Sequence, residues 1–189
     1  QGVVIELNNV GEVVRVDLSV VTDLEAAIEQ IAELSTVREL IIPPHLDDEG
    51  LAQIIVLNHL ENLDLSTHRR LSDRAILKLA DIKSLKHLGL PQQISDMGLK
   101  VVTELLQLES LDLTRCAKIT DIGMENIAQL SKLRSLTLNG AERITNVGVA
   151  HLSRLTALEH LDLSQTAITD DGLKALKRLT NLRTLRLNE

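Results

Sequence analysis

The 189-residue sequence has no phenylalanine, tyrosine or tryptophan, one cysteine and three prolines. Each shortage excludes something. Aromatic rings anchor most protein interfaces and form the platforms on which unpaired bases stack. Recognition here must therefore be polar, charged or aliphatic, and nucleic-acid and carbohydrate partners are disfavoured. The lone Cys116 excludes an intrachain disulfide framework. Apolar runs last only a few residues, far short of the roughly 20 that a membrane-spanning helix needs. The sequence has no G-x-S-x-G, no phosphate-binding loop and no paired C-x-x-C, so nucleophilic, nucleotide and zinc-ribbon chemistry have no residues to use. We expect no enzyme, no cofactor and no metal. The compartment stays open.

What is present is a repeat. Residues opening an L-x-x-L-x-L hexad fall at Val13, Val37, Leu60, Leu85, Leu108, Leu133, Leu158 and Leu182, spaced 24, 23, 25, 23, 25, 25 and 24 residues apart. A period of about 20–29 residues with this hexad is the signature of a leucine-rich repeat, in which every coil adds one short strand to a parallel sheet. The register predicts one elongated domain over residues 1–189: an N-terminal capping hairpin segment at 1–12, seven repeats over 13–181, and the strand of an incomplete eighth at 182–189. Val3 to Leu7 and Val13 to Leu18 alternate around Asn8-Asn9-Val10-Gly11, as a hairpin does. At the other end Leu182 and Leu185 call for further chain or a cover.

Charge is distributed along that axis. Residues 1–64 carry 13 acidic and 2 basic side chains, net −11, and residues 65–189 carry 14 and 18, net +4, which together give the overall −7. In a solenoid one end should attract cations and the other, mildly, anions.

After each hexad comes a loop, then an apolar residue, a polar pair and usually glycine, as in Ile94-Ser95-Asp96-Met97-Gly98, Ile119-Thr120-Asp121-Ile122-Gly123 and Ile144-Thr145-Asn146-Val147-Gly148. Each reads as a helix start, with Ser, Thr or Asp capping free amides and an acid near the positive end of the helix. The first repeat offers a capping box from Thr22 to Glu25. The glycine predicts close approach of the helix to the neighbouring coil, and Ala75 and Glu25, which interrupt it, predict looser packing or tilt. From that apolar residue to the next hexad the count is 14 in six consecutive repeats, so length varies only in the ascending loop: 3, 4, 6, 4, 6, 6 and 5 steps. Leu173, Leu176 and Leu179 should face the sheet, leaving Lys174, Lys177 and Arg178 outside.

The stretch Leu108-Glu109-Ser110-Leu111-Asp112-Leu113-Thr114-Arg115-Cys116-Ala117-Lys118-Ile119-Thr120-Asp121-Ile122-Gly123 resembles the cysteine-containing subclass of leucine-rich repeats, and residues 13–189 resemble bacterial proteins with L-x-x-L-x-L and I-T-D-x-G-L units. The resemblance implies an α/β, right-handed horseshoe solenoid related to the ribonuclease-inhibitor architecture, with a concave parallel β-sheet, convex helices and a role as an interaction scaffold. It also implies that Cys116 points inward as a structural residue. His45, His68, Gln93, Ala141 and Thr166 stand at the same place in other repeats, which departs from the strict subclass.

Outward positions alternate with core positions along each strand. On the concave face this gives Asp64, His87, Asp112, Thr137, His160 and Asp162 as candidate partner-binding residues. Asp17, Asp64, Asp112 and Asp162 share a column but are separated by Ile41, Gly89 and Thr137, about 10 Å between successive acids, too far for a shared metal or a tight acid–base pair. His87 and His160 lie three strands apart, roughly 14 Å, and cannot share one ion. His45 beside Asp47, Asp48 and Glu49 is explained more simply by helix capping. The long ascending loops contribute Arg69, Arg70, Arg115, Lys118 and Arg143, a candidate basic rim in which arginine supplies anchors that the missing aromatics cannot. The expected function is a non-catalytic scaffold holding a protein or peptide by the concave face and this rim. The alternative is a structural or self-associating solenoid module of a larger surface or envelope protein, joined through its bipolar charge or its open end.

Overall fold

The computed structural model describes residues 3–188. Gln1, Gly2 and Glu189, which the sequence reading places in the first cap and the last strand, lie outside the described residues. The chain opens with strands β1 (Val4–Leu7) and β2 (Val13–Asp17). Helices and strands then alternate: α1 (Leu24–Ile31), β3 (Glu39–Ile41), α2 (Asp48–Ile54), β4 (Asn62–Asp64), α3 (Asp73–Leu77), β5 (His87–Gly89) and α4 (Asp96–Leu99). The second half continues with β6 (Ser110–Asp112), α5 (Asp121–Ile127), β7 (Ser135–Thr137), α6 (Asn146–His151), β8 (His160–Asp162), α7 (Asp170–Leu173) and β9 (Thr184–Arg186).

The nine strands form one sheet in sequence order. β1 pairs with β2 antiparallel, and every later pair is parallel. The hairpin reverses at Gly11, whose φ of +83° is a left-handed conformation glycine adopts without penalty. The Asn8 side chain accepts from the Val10 and Glu12 amides, 3.0 Å each, and fixes the turn. β1 covers the backbone edge of β2, but its own side chains are exposed.

The hexad's central leucines pair strand to strand, Leu63 with Leu88, Leu88 with Leu111, Leu111 with Leu136 and Leu136 with Leu161. They point inward and join hexad-opening and helical residues such as Leu60, Leu85, Ile76, Ile127 and Val149 in one continuous core. Strands stand about 4.8 Å apart and packed helices about 8–10 Å, so the helical side is the wider arc and the sheet's outward residues line the inner, concave one. The fold is an α/β solenoid of the leucine-rich-repeat type.

The helical half is tighter than a plain 3.6-residue pattern suggests. α3, α4, α6 and α7 pass directly into 3-10 turns at Lys78–Asp81, Lys100–Glu104, Leu152–Arg154 and Lys174–Arg178. A 3-10 turn rises about 2.0 Å per residue against 1.5 Å in an α-helix, which lets few residues complete the return path. Leu176 and Leu179 are buried and Lys174, Lys177 and Arg178 exposed, as expected, while Leu173 is half-buried.

The first cap differs from expectation. Asp23, not Thr22, starts α1, and its carboxylate accepts from the Ala26 amide at 3.0 Å. The Thr22 to Glu25 box therefore does not form, and the place that glycine takes in other repeats falls on Ala26. The caps of the later helices are linked from coil to coil. Asp48 accepts from the Ser72 amide (2.7 Å) and hydroxyl (2.5 Å), and Asp73 binds Ser95 in the same way. Asp96 takes the Thr120 amide and hydroxyl at 2.9 and 2.6 Å, and Asp121 takes those of Thr145 at 2.8 and 2.6 Å. Asn146 closes the series, accepting the Thr169 amide at 2.9 Å and donating to its hydroxyl at 2.8 Å. The glycine belongs to this ladder: a Cβ on Gly123 would lie 2.5 Å from Asp96 Oδ1 and 2.8 Å from a Leu99 methyl. At the corresponding place Ala75 is buried and the Asp48 to Ser72 bonds are intact, so the expected loosening is not seen there.

Candidate functional site

Strands β2 to β6 turn their outward residues into a hollow of about 520 Å³ on the concave face. Its floor is the row of strand backbones. Its polar wall includes Arg15, Glu39, Asn62, Asp64, His87, Ser110 and Asp112, with Thr67 and His68 entering from the ascending loop after β4. Asp64, His87 and Asp112 from the expected concave set are thus brought together. Thr137, His160 and Asp162 lie on β7 and β8, outside it, and none of the five rim residues lines it.

The aspartates do local work as well. Oδ1 of Asp64 accepts from the Ser66 amide at 2.9 Å, Oδ1 of Asp112 accepts from the Thr114 amide and hydroxyl at 2.8 and 2.6 Å, and Asp162 accepts from the Ser164 amide at 2.9 Å. Each ends its strand in a side-chain-closed turn. In the first repeat Asp17 does the same with Ser19, whose hydroxyl and amide hold its carboxyl below the usual carboxylate range. Arg15 is held by Glu39 at 3.0 Å and Glu6 at 3.4 Å.

Two of the wall residues that were not singled out as candidates shape the site. Gly89 is buried in the outward column between Asp64 and Asp112, and its signal was present: a glycine inside a strand marks close approach of another group. His68 is only 4% exposed; its Nε2 lies 3.0 Å from the Pro43 carbonyl and its Nδ1 has no partner. Its burial was not legible, because the same place in other repeats holds the exposed His45 and the half-buried Gln93 and Thr166 as well as the buried Cys116 and Ala141.

Arg69, Arg70, Arg115, Lys118 and Arg143 are all exposed on the ascending loops. Arg70 and Lys118 take equivalent places, bridging to Asp47 and Ser95 of the preceding coils. Arg115 sits at φ 60°, the first of three left-handed residues at one position in successive repeats, with Gly140 (75°) and Gln165 (53°). That bend carries the parallel ladder one step past the strands, from the Arg115 amide to Asn139 O (2.6 Å) and from the Gly140 amide to Ser164 O (3.0 Å). Beyond the rim, the first turns of α4, α5 and α6 expose Met97, Ile122 and Val147 at one equivalent position, 67, 68 and 64% accessible. Cys116 is fully buried, with its thiol 3.5 Å from the Pro91 carbonyl; burial, and secondarily the Asp112 charge, push its pKa up to about 12. Among the described residues no group of three or more His, Cys, Asp or Glu is placed to hold a metal ion. No helix among them is long and apolar enough to cross a membrane.

Strand order, the inward leucine columns and the open concave face define a leucine-rich-repeat solenoid. Residues 99–187, just under half of the chain, match the family described as Zer-1-like, leucine-rich repeats. Among solved structures the chain is similar to internalin C2 from Listeria monocytogenes, with a TM-score of 0.59, 23% identity, and 84% of this chain and 64% of that one covered. It is also similar to the leucine-rich-repeat ectodomain of the Arabidopsis receptor kinase HAESA, solved with an N-terminally extended IDA peptide hormone, at a TM-score of 0.61, 17% identity, and 98% and 36% coverage. The chain thus spans under two thirds of either neighbour, and at these identities the likeness is one of fold. No curated protein matches the sequence.

Proposed function

We propose that this chain is a non-catalytic interaction module that holds a protein or peptide against the concave face and along the basic rim. The observation that carries the reading is the hollow, a concavity of mixed polar and aliphatic lining wide enough to span five strands. Extended segments and loops fit such a surface, which presents alternate side chains on a rigid backbone. The HAESA ectodomain, of similar fold, holds a peptide hormone. The rim half draws support from the exposed aliphatic residues Met97, Ile122 and Val147 just beyond Lys118 and Arg143, since charge beside an apolar stripe suits an amphipathic partner. The inward Cys116 supports the cysteine-containing, ribonuclease-inhibitor-like subclass of bacterial type.

Selection from a displayed peptide library tests the reading. The baits are the wild-type chain, a concave variant with long side chains on the face (Ser110→Gln, Thr137→Gln), and a rim variant with Arg69, Arg70, Arg115, Lys118 and Arg143 changed to Ser. Peptides enriched on the wild type should be lost on at least one variant. Equal retention on both sinks the reading. No enrichment, together with light-scattering mass that falls as salt rises, favours the self-associating solenoid instead.

A further inference from the structure

We propose that the hollow contains a subsite for a guanidinium group, the arginine side chain of a peptide or protein lying across β3 to β6. This rests on the reading of the concave face as the binding surface and names the chemistry of its occupant.

The column Asp64, Gly89, Asp112 sets the geometry. The three are adjacent in register, so the two acids are separated by one strand that carries no side chain between them. The Asp64 carboxylate leans over that gap: a Cβ on Gly89 would meet Asp64 Oδ1 and stand 3.2 Å from its Cγ. Each acid commits Oδ1 to its own turn and leaves Oδ2. Among the described residues no lysine, arginine or histidine forms an ion pair with Asp64 or Asp112. Arg15, the cation in the wall, is already matched to Glu39 and Glu6. With Glu39, Asp64 and Asp112 against Arg15, the hollow carries two more negative than positive side chains, and two of its three acids, Glu39 and Asp64, lie in residues 1–64, whose net charge is −11.

His68 supplies an independent indication. A carbonyl only accepts, so the His68 Nε2 that faces Pro43 O carries the ring hydrogen, and in that tautomer Nδ1 is an acceptor with nothing to accept from. A buried side chain with an unmet acceptor therefore lines the same cleft as the free carboxylate oxygens of Asp64 and Asp112, beside the polar side chains of Asn62, Thr67, His87 and Ser110. The matching ligand is a flat array of N–H donors. Guanidinium presents five in a fork, whereas an ammonium concentrates three at one point.

The test uses the full ¹⁵N-labelled chain and three nonapeptides identical except for a central arginine, citrulline or glutamate. The amides of Ser66, Gly89 and Thr114 are the reporters, because they sit on or between the two carboxylates. The arginine peptide should shift them saturably, and citrulline, which keeps the shape but loses the charge, should bind at least about tenfold more weakly. An Asp64→Asn, Asp112→Asn variant, whose side-chain oxygens still accept from Ser66 and Thr114, should lose about tenfold for the arginine peptide alone. Citrulline or glutamate peptides that shift these amides as strongly as arginine overturn the guanidinium subsite while leaving concave-face binding in place. An arginine peptide that shifts none of them overturns the subsite, and the library selection then decides separately whether the face binds anything.

Discussion

At the scale of single residues, the most restricted group is Cys116. Its thiol is sealed under the loop after β6 and surrounded by core, so only the neutral form fits, and the pKa rises to about 12 from an ordinary 9.0. Thiolate is the reactive species, and a buried thiol is inert. Native protein at pH 8 should therefore react with a maleimide only at the rate of opening, and rapidly in denaturant; a fast native reaction would mean the loop is open. The same shift has a pH consequence. A group whose folded pKa is raised favours the folded state fully below the unfolded value and loses that contribution as pH climbs towards the folded one. Stability should thus decline between about pH 9 and pH 12, and Cys116→Ala should flatten that limb in a series of denaturant melts.

Between elements, two ladders fix one coil against the next. In the first, a helix's first-turn Asp binds both polar hydrogens of the following cap, so Asp96→Ala strands the Thr120 amide and hydroxyl and should cost about 1–3 kcal/mol. Asp96→Asn should cost much less, since Asn146 already makes the equivalent pair of bonds to Thr169. Equal losses in urea melts would show that the carboxylate charge, not the bond geometry, holds the coils. The second ladder runs through the hexads' second positions, Arg38, Glu61, Lys86, Glu109, Arg134, Glu159 and Arg183, alternating in sign from coil to coil. Glu61 pairs with Arg38 (3.4 Å) and Lys86 (2.7 Å), and Glu159 with Arg134 (2.5 Å) and Arg183 (3.1 Å). The Arg134 hydrogen bond chiefly, with the nearby cations, holds the Glu159 carboxyl below its usual range. Glu159→Lys places three cations in a row and should lower the melting temperature, by less at high salt, where surface charges are screened. The period, the hexads and the strand register could be read directly, because leucines recurring at 23–25 residues can be buried in few other ways. The aspartate ladder could not: Asp96 beside Thr120's repeat mate Ser95 looks like a dipole partner of its own helix, and its true partner lies 24 residues on. In the first repeat Thr22 and Asp23 are both competent caps, and only tertiary fit chooses Asp23. The hollow escaped for a similar reason, since it depends on a side chain that Gly89 lacks and on the burial of His68.

For the whole molecule, the decisive property is that each coil touches only its neighbours in the chain, so stability is a sum along one axis. That sum is uneven. From Leu60 to Leu161 the hexad leucines are at most 2% exposed, whereas Val4, Ile5 and Leu7 at one end and Leu185 and Leu187 at the other are 38% or more exposed. A terminal coil buries one face instead of two, and the apolar area it leaves in water gives up roughly 25 cal/mol per Å² of stabilisation. Opening should therefore begin at the ends and move inward. In native-state hydrogen exchange the slowest amides should be those linking the central strands, Leu90 to Asp112 O, Leu113 to Thr137 O and Leu138 to Asp162 O. Leu163, bonded to Arg186 O of the last strand, should exchange faster, as should the β1–β2 pair. A bound partner seated over β3 to β6 would extend the slow region towards the first repeats and leave the last strand unchanged, because coupling decays coil by coil. Equal protection in all nine strands would mean that the coils open as one block, and binding at the hollow would then be felt as strongly at β9 as at β3.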